Sequence, residues 1–239
     1  MLPEDRSVFD LPYAGPMESL SYGKSTDQVI DFYQPKERND SLIVLIHGGY
    51  WRPEYDRKHL APLAEKLAEN GWPVALIEYR RIIGNPDAAM GDVISAIGEV
   101  ESKYKKLILI GHSAGGHLAL LAANKLKLSA VLALAPVSDL LKAEELDLDE
   151  GAVADFLGAP ASLRIDLDPI RQPIPSIPIT LIHGSLDIRV PIDFSRNYVQ
   201  RASSSDLKLI ELEGVGHFEL VDPRHETLRL ICGELDGWN

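Results

Sequence analysis

Hydrophobic residues in this chain gather into short apolar runs separated by longer amphipathic stretches. Residues 42–46 (Leu-Ile-Val-Leu-Ile) have no polar alternation, and Val29–Tyr33, 73–79, 107–110, 130–135, 179–183 and Leu207–Leu212 are further runs of strand length. Uninterrupted runs mark strands covered on both faces, whereas half-solvated strands alternate. Between them, residues 58–69 repeat apolar side chains at helical spacing (Leu60, Leu63, Ala64, Leu67, Ala68) and stop at Asn70-Gly71, a suitable C-cap. Residues 87–104 carry Val93, Ile94, Ile97 and Val100 along one face, and 117–127 form a third helix-like stretch. Strand–helix repetition of this kind predicts an α/β fold: a mostly parallel, doubly wound sheet with helices on both faces.

One stretch interrupts the rhythm. Residues 138–178 combine an acidic run (Glu144, Glu145, Asp147, Asp149, Glu150) with a proline-rich exit (Pro169, Pro173, Pro175, Pro178). That is too long for a plain connection. We expect residues 1–239 to form a single domain in which 138–178 is a small helical, cap-like insertion over the site; a solvated decoration away from it is the alternative.

Composition narrows the partners. With 239 residues, 45% hydrophobic and 25% charged, the chain has an ordinary globular make-up. Its formal charge of -12 disfavours nucleic acid and anionic membranes as partners. Cys232 is the one cysteine, which excludes an internal disulfide framework and a thiolate metal site. The segment starting at Met1 lacks signal-peptide features and no apolar stretch reaches spanning length, so a cytoplasmic location is the default expectation. No H-E-x-x-H pairing occurs, and neither a metal nor a cofactor is expected.

The candidate chemistry begins at Gly111-His112-Ser113-Ala114-Gly115, a G-x-S-x-G directly after an apolar run and before a helix-like stretch. In that setting Ser113 sits on a turn so sharp that side chains at 111 and 115 would clash, and the Ala114 N–H is aimed at a carbonyl under attack. A serine hydroxyl needs a base, and the base needs an orienting acid. His217, in the turn Gly214-Val215-Gly216-His217 after the last run, is the best-placed base, with a helix-capping role as the bland alternative. Asp187, just beyond residues 179–183, is the preferred acid; Asp222 is the weaker candidate, better suited to capping the last helix. The second oxyanion donor is expected from His47-Gly48-Gly49-Tyr50-Trp51, with Gly49 and Tyr50 favoured over Gly48.

Trp51 and His112 are candidate pocket residues, with packing as the competing role. His47 is expected to hold its loop, His183 to support the acid loop, and His59 and His225 to lie on helix surfaces.

With these motifs in place the chain resembles the α/β-hydrolases, and within them the kynurenine formamidase (arylformamidase) and small carboxylesterase branch. The likeness runs from about residue 29 onward, and the H-G-G-Y-W form carries its narrower part. It implies a cofactor-independent serine hydrolase of small carboxylic esters or activated aryl formamides. By carry-over, Ser113 is the nucleophile, Asp187 and His217 complete the triad, and Gly49, Tyr50 and Ala114 stabilise the oxyanion. Kynurenine formamidase proper is the second reading, and a non-catalytic hydrolase-fold binding protein is the third. The partner implied is a small ester or amide. The oligomeric state stays open, a homodimer included.

Overall fold

In the computed structural model, residues 4–37, 39–201 and 206–238 are described. Eight strands form one sheet: β1 (Glu18–Ser21), β2 (Val29–Tyr33), β3 (Ser41–Ile46), β4 (Val74–Ile77), β5 (Lys106–His112), β6 (Ala130–Leu134), β7 (Ile179–Gly184) and β8 (Leu207–Leu212). Their order across the sheet is β1-β2-β4-β3-β5-β6-β7-β8. The first two pairings are antiparallel and the remaining five are parallel.

The apolar runs predict these strands because the sheet is buried on both sides. Along β3, Leu42, Val44 and Ile46 enter one core, which contains Val93 and Ile97 of α2 (Pro86–Val100) and Leu118 of α3 (Ala114–Ala122). Ile43 and Leu45 enter the other, with Leu63 and Leu67 of α1 (Ala61–Glu69) and Ile231 and Leu235 of α7 (Thr227–Trp238). The strand period of two thus sends alternate side chains of one apolar run into two separate cores.

Three helices differ from expectation in their bounds. The stretch from 58 opens with a 3-10 turn, Arg57–Leu60, capped by the Asp56 carboxylate accepting from the Lys58 N–H, and α1 starts only at Ala61. Helix α2 ends at Val100 and passes into a 3-10 turn, Glu101–Lys103. Helix α3 stops at Ala122, where exposed Asn124, Lys125 and Lys127 turn the chain toward β6. Strand β1 is an addition: its side chains are largely exposed at the sheet edge, so it carries no apolar run to read.

The 138–178 stretch forms α4 (Leu140–Glu145), α5 (Ala152–Leu157) and three 3-10 turns. Buried Asp168 organises it, with its carboxylate accepting from the Leu140 N–H at 2.9 Å and from Arg171 Nε at 2.7 Å. After it come β7, α6 (Asp193–Val199) and β8. Among the described residues no helix is long and apolar enough to cross a membrane.

Candidate active site

Because β3, β5, β7 and β8 run parallel, the loops that follow them emerge at one edge of the sheet. Gly49, Tyr50, Trp51, Ser113, Asp187 and His217 lie on those loops, while His112 ends β5 and Ala114 opens α3. Ser113 directly follows β5 with φ +56° and ψ -118°, a conformation rare for a residue with a side chain. The turn is held by the Ser113 N–H donating to the Leu134 carbonyl at 2.8 Å and by the His117 N–H donating to the Ser113 carbonyl at 3.1 Å. The flanking glycines are sterically required. A Cβ on Gly111 would stand 2.3 Å from the Gly115 carbonyl oxygen, and one on Gly115 would stand 2.1 Å from that of Ile46.

The loop after β3 presses against this elbow. A Cβ on Gly48 would come within 2.9 Å of the Ser113 Cβ. Gly49, Tyr50 and Trp51 all have positive φ (+105°, +50° and +57°). Among the described residues, no protein group accepts from the N–H of Gly49, Tyr50 or Ala114. His47 anchors the loop from below. Its Nε2 lies 2.8 Å from Glu78 Oε1 and its carbonyl accepts from the Tyr79 hydroxyl at 3.0 Å, while Arg81 closes onto the same Glu78 carboxylate.

Asp187 and His217 are joined directly. The His217 Nδ1–H donates to Asp187 Oδ2 at 2.6 Å, which leaves Nε2 unprotonated in the neutral ring. Asp187 Oδ1 accepts from the backbone N–H groups of Arg189 (2.8 Å) and Val190 (2.9 Å). Burial by itself would raise this carboxyl's pKa. Attraction to His217 and hydrogen bonds from His183 and His217 outweigh it and hold the group well below the usual carboxylate range. The acid and base loops are also clipped together: the Leu186 N–H donates to the Val215 carbonyl at 2.9 Å, and the Gly214 N–H to Ser185 Oγ at 2.9 Å. Asp222, the weaker acid candidate, is instead bound up with Arg224 in a turn before α7.

Ser113 and His217 line one pocket, together with Gly49, Tyr50 and His112. His112 fixes the base loop, its Nε2–H donating to the His217 carbonyl at 3.1 Å. Burial, then the nearby rings of His217 and His59, push its pKa well below the ordinary value and keep it neutral.

Trp51 does not line this pocket, which corrects the sequence expectation. It is buried beneath the insertion, stacked on Phe156 (centroids 4.4 Å apart, planes at 13°) and edge-on to His117. Arg52 ties the same loop to the insertion, with Nε donating to Asp149 Oδ2 at 2.8 Å and Nη1 to Asp155 Oδ2 at 3.0 Å.

His59 is a second correction, buried in the pocket wall rather than on a helix surface. It lies in the 3-10 turn Arg57–Leu60, and its Nδ1–H donates to the Asp56 carbonyl at 2.8 Å. The N-terminal segment also enters the pocket wall, a contribution with no local sequence signal. Phe9 stacks on His59 at 5.2 Å and meets Phe218 edge-on at 5.0 Å, while Arg6 reaches the mouth. Among the described residues, no group of three or more His, Cys, Asp or Glu side chains could hold a metal ion.

The BD-FAE family model matches residues 30–201, well over half of the chain. The chain belongs to the BD-FAE family. It is 26% identical over 239 aligned residues to esterase LipC of Mycobacterium tuberculosis, an alignment covering 84% of this chain and 59% of LipC. It is 30% identical over 106 residues to kynurenine formamidase of Danio rerio, covering 42% of this chain and 36% of the enzyme. The chain thus spans 59% of the length of LipC and 36% of that of the formamidase, less than two thirds of either. Esterase and formamidase are both hydrolases.

Among solved structures, Thermogutta terrifontis esterase 2 superposes with a TM-score of 0.73 at 22% identity, covering 95% of this chain and 97% of that one. Esterase B of Lactobacillus rhamnosis superposes with a TM-score of 0.75 at 19% identity, covering 94% and 87%. The fold of this BD-FAE protein is that of the α/β-hydrolase esterases.

Proposed function

We propose that this protein is a serine esterase that cleaves small carboxylic esters through an acyl-enzyme. The observation that carries the reading is the 2.6 Å hydrogen bond between Asp187 and His217, the latter lining the same pocket as Ser113. Asp187 fixes the tautomer in which His217 Nε2 is free to take the Ser113 proton as Oγ attacks the carbonyl. The Ala114, Gly49 and Tyr50 N–H groups receive the oxyanion; losing one such donor typically costs about 100- to 1000-fold in turnover. His217 then returns the proton to the leaving alcohol, and water activated by the same imidazole releases the acid.

The insertion at 138–178 supports the oxyanion loop through Arg52 and Trp51 and reaches the pocket edge through Asp149. That carboxylate lies 3.7 Å from Nη1 of Arg189, a pocket-lining residue.

Turnover of 4-nitrophenyl acetate by wild type and Ser113→Ala tests the mechanism. Activity should vanish in the variant while its circular dichroism is unchanged, and full activity in the variant removes the reading. Thermogutta terrifontis esterase 2 is phosphonylated by sarin. A fluorophosphonate probe should correspondingly label this protein at Ser113, and failure to label would favour a non-catalytic binding role.

An aryl-formamidase activity is the second reading. It is favoured by the kynurenine formamidase relatives, one of them, from Meyerozyma guilliermondii, 36% identical over 110 residues. Negligible turnover of N-formylkynurenine beside brisk ester hydrolysis would dismiss it.

A further inference from the structure

The pocket around Ser113 holds one unpaired positive charge in a chain that is negative overall. The protein carries a formal charge of -12, yet among the described residues lining this pocket there are two arginines, Arg6 and Arg189, and no Asp or Glu; the His59 and His112 rings beside them are neutral. The two arginines are not equivalent. Arg189 is already neutralised, its Nε 2.9 Å from Glu4 Oε1 and its Nη2 2.8 Å from Glu4 Oε2. Arg6 has no carboxylate partner among the described residues.

Its guanidinium carbon instead lies 5.0 Å from the centroid of the Phe9 ring and 5.5 Å from that of Phe218. Contact with the two rings uses none of its N–H donors, which make no hydrogen bond among the described residues and are free for a planar anion. The Phe218 ring in turn sits 5.2 Å from the His217 imidazole, so a single phenyl ring separates the unpaired charge from the general base.

Building on the serine-esterase reading, we propose that Arg6, held by Phe9 and Phe218, forms a carboxylate subsite at the mouth of the Ser113 pocket. The preferred substrates are then small esters that carry a carboxylate several bonds from the scissile carbonyl. Bidentate pairing with the guanidinium draws such an ester out of the protein's overall negative field and orients it with its ester group toward Ser113. A purely structural Arg6, shielding the two rings, would give no preference between charged and neutral esters.

Two substrate pairs test the subsite and locate the carboxylate. One pair, 4-acetoxybenzoate and its methyl ester, varies charge on the leaving group. The other, the mono-4-nitrophenyl ester of adipic acid and 4-nitrophenyl hexanoate, varies it on the acyl group. Wild type should favour the charged member of at least one pair by about tenfold in kcat/KM, carried mainly by KM. Arg6→Met, which keeps much of the packing, should bring that ratio to about one or below, and Arg6→Lys should restore part of it. Arg196→Met removes the same charge outside the pocket and should leave the ratio as in wild type.

An unchanged ratio in Arg6→Met, or no preference in wild type for either pair, overturns the subsite while the serine mechanism stands. Absence of turnover for all four esters, or turnover that survives Ser113→Ala, overturns the serine reading and the subsite together.

Discussion

The carboxylate of Asp187 faces a second imidazole, His183, whose Nε2 lies 3.3 Å from Asp187 Oδ2. His183 Nε2 is also 2.9 Å from the Val190 carbonyl, an oxygen that can only accept, so this nitrogen carries the proton. Its Nδ1 accepts from the Ser195 hydroxyl of α6 at 2.7 Å. The candidate acid is therefore held from two sides, by the base it orients and by a histidine locked in one tautomer through the helix behind it. Replacing His183 with Phe should lower kcat by about tenfold with little change in KM, because a long charge-assisted hydrogen bond to the carboxylate is lost. His183→Gln, which retains a donor, should recover part of the rate. Equal rates in the Phe variant and wild type would show that the contact is packing alone.

Gly115 and Gly48 should respond differently to alanine. A Cβ at 115 would meet two backbone oxygens of the neighbouring strand end, Ile46 at 2.1 Å and His47 at 2.5 Å, and neither can yield. Gly115→Ala is expected to cost about 3 kcal/mol or more in urea-unfolding stability. At Gly48 the new methyl would push against the Ser113 Cβ and the His112 carbonyl, both at the elbow itself. That variant should stay folded but lose about 100-fold in kcat as the oxyanion donors move off target.

Arg52 connects the oxyanion loop to the insertion through Asp149 and Asp155 and also donates to the Asp149 carbonyl at 2.6 Å. Arg52→Met should speed proteolysis within 138–178, measured by limited digestion and mass spectrometry. It should also lower stability by about 1–2 kcal/mol, the scale for losing charge-assisted bonds at a partly exposed site. Cleavage kinetics identical to wild type would mean that Phe156 and Trp51 alone hold the insertion in place.

Burial pushes His59 down to about 3 and His117 to about 4, and it lowers His112 as well. These rings stay neutral in the folded protein while the unfolded chain protonates them below about pH 6.5. The folded state then binds fewer protons, so stability falls with acidification from about pH 6.5 until each folded pKa is reached. Each such ring contributes up to about 1.4 kcal/mol per pH unit across that window. Denaturant midpoints at pH 7.5, 6 and 5 should show the decline, and His117→Gln should flatten it. His117 is the cleanest probe because its one hydrogen bond, from Nε2–H to the Leu167 carbonyl at 2.8 Å, can be kept by an amide.

Much of the candidate site is legible in the chain because its parts obey local rules. Ser113 is framed by glycines that its own turn requires, and Asp187 and His217 each sit just beyond an apolar run that has to become a buried strand. Parallel pairing then brings the ends of those strands to one edge whatever the intervening helices are. That placement makes Asp187 the preferred acid over Asp222, and Asp187 Oδ2 lies 2.6 Å from His217 Nδ1.

What only the tertiary structure decided is which distant segments cover those strand ends. Helical periodicity shows that a side chain is buried but not which part of the chain buries it, and His59, read as a surface residue, is buried in the pocket wall within the 3-10 turn Arg57–Leu60. Trp51 reads as a pocket residue by its neighbours in sequence, yet Phe156, over a hundred positions away, captures its ring. Arg6 gives no signal of its own: its position at the mouth depends on Phe9 packing against His59 and Phe218, contacts that exist only once the two ends of the chain have come together.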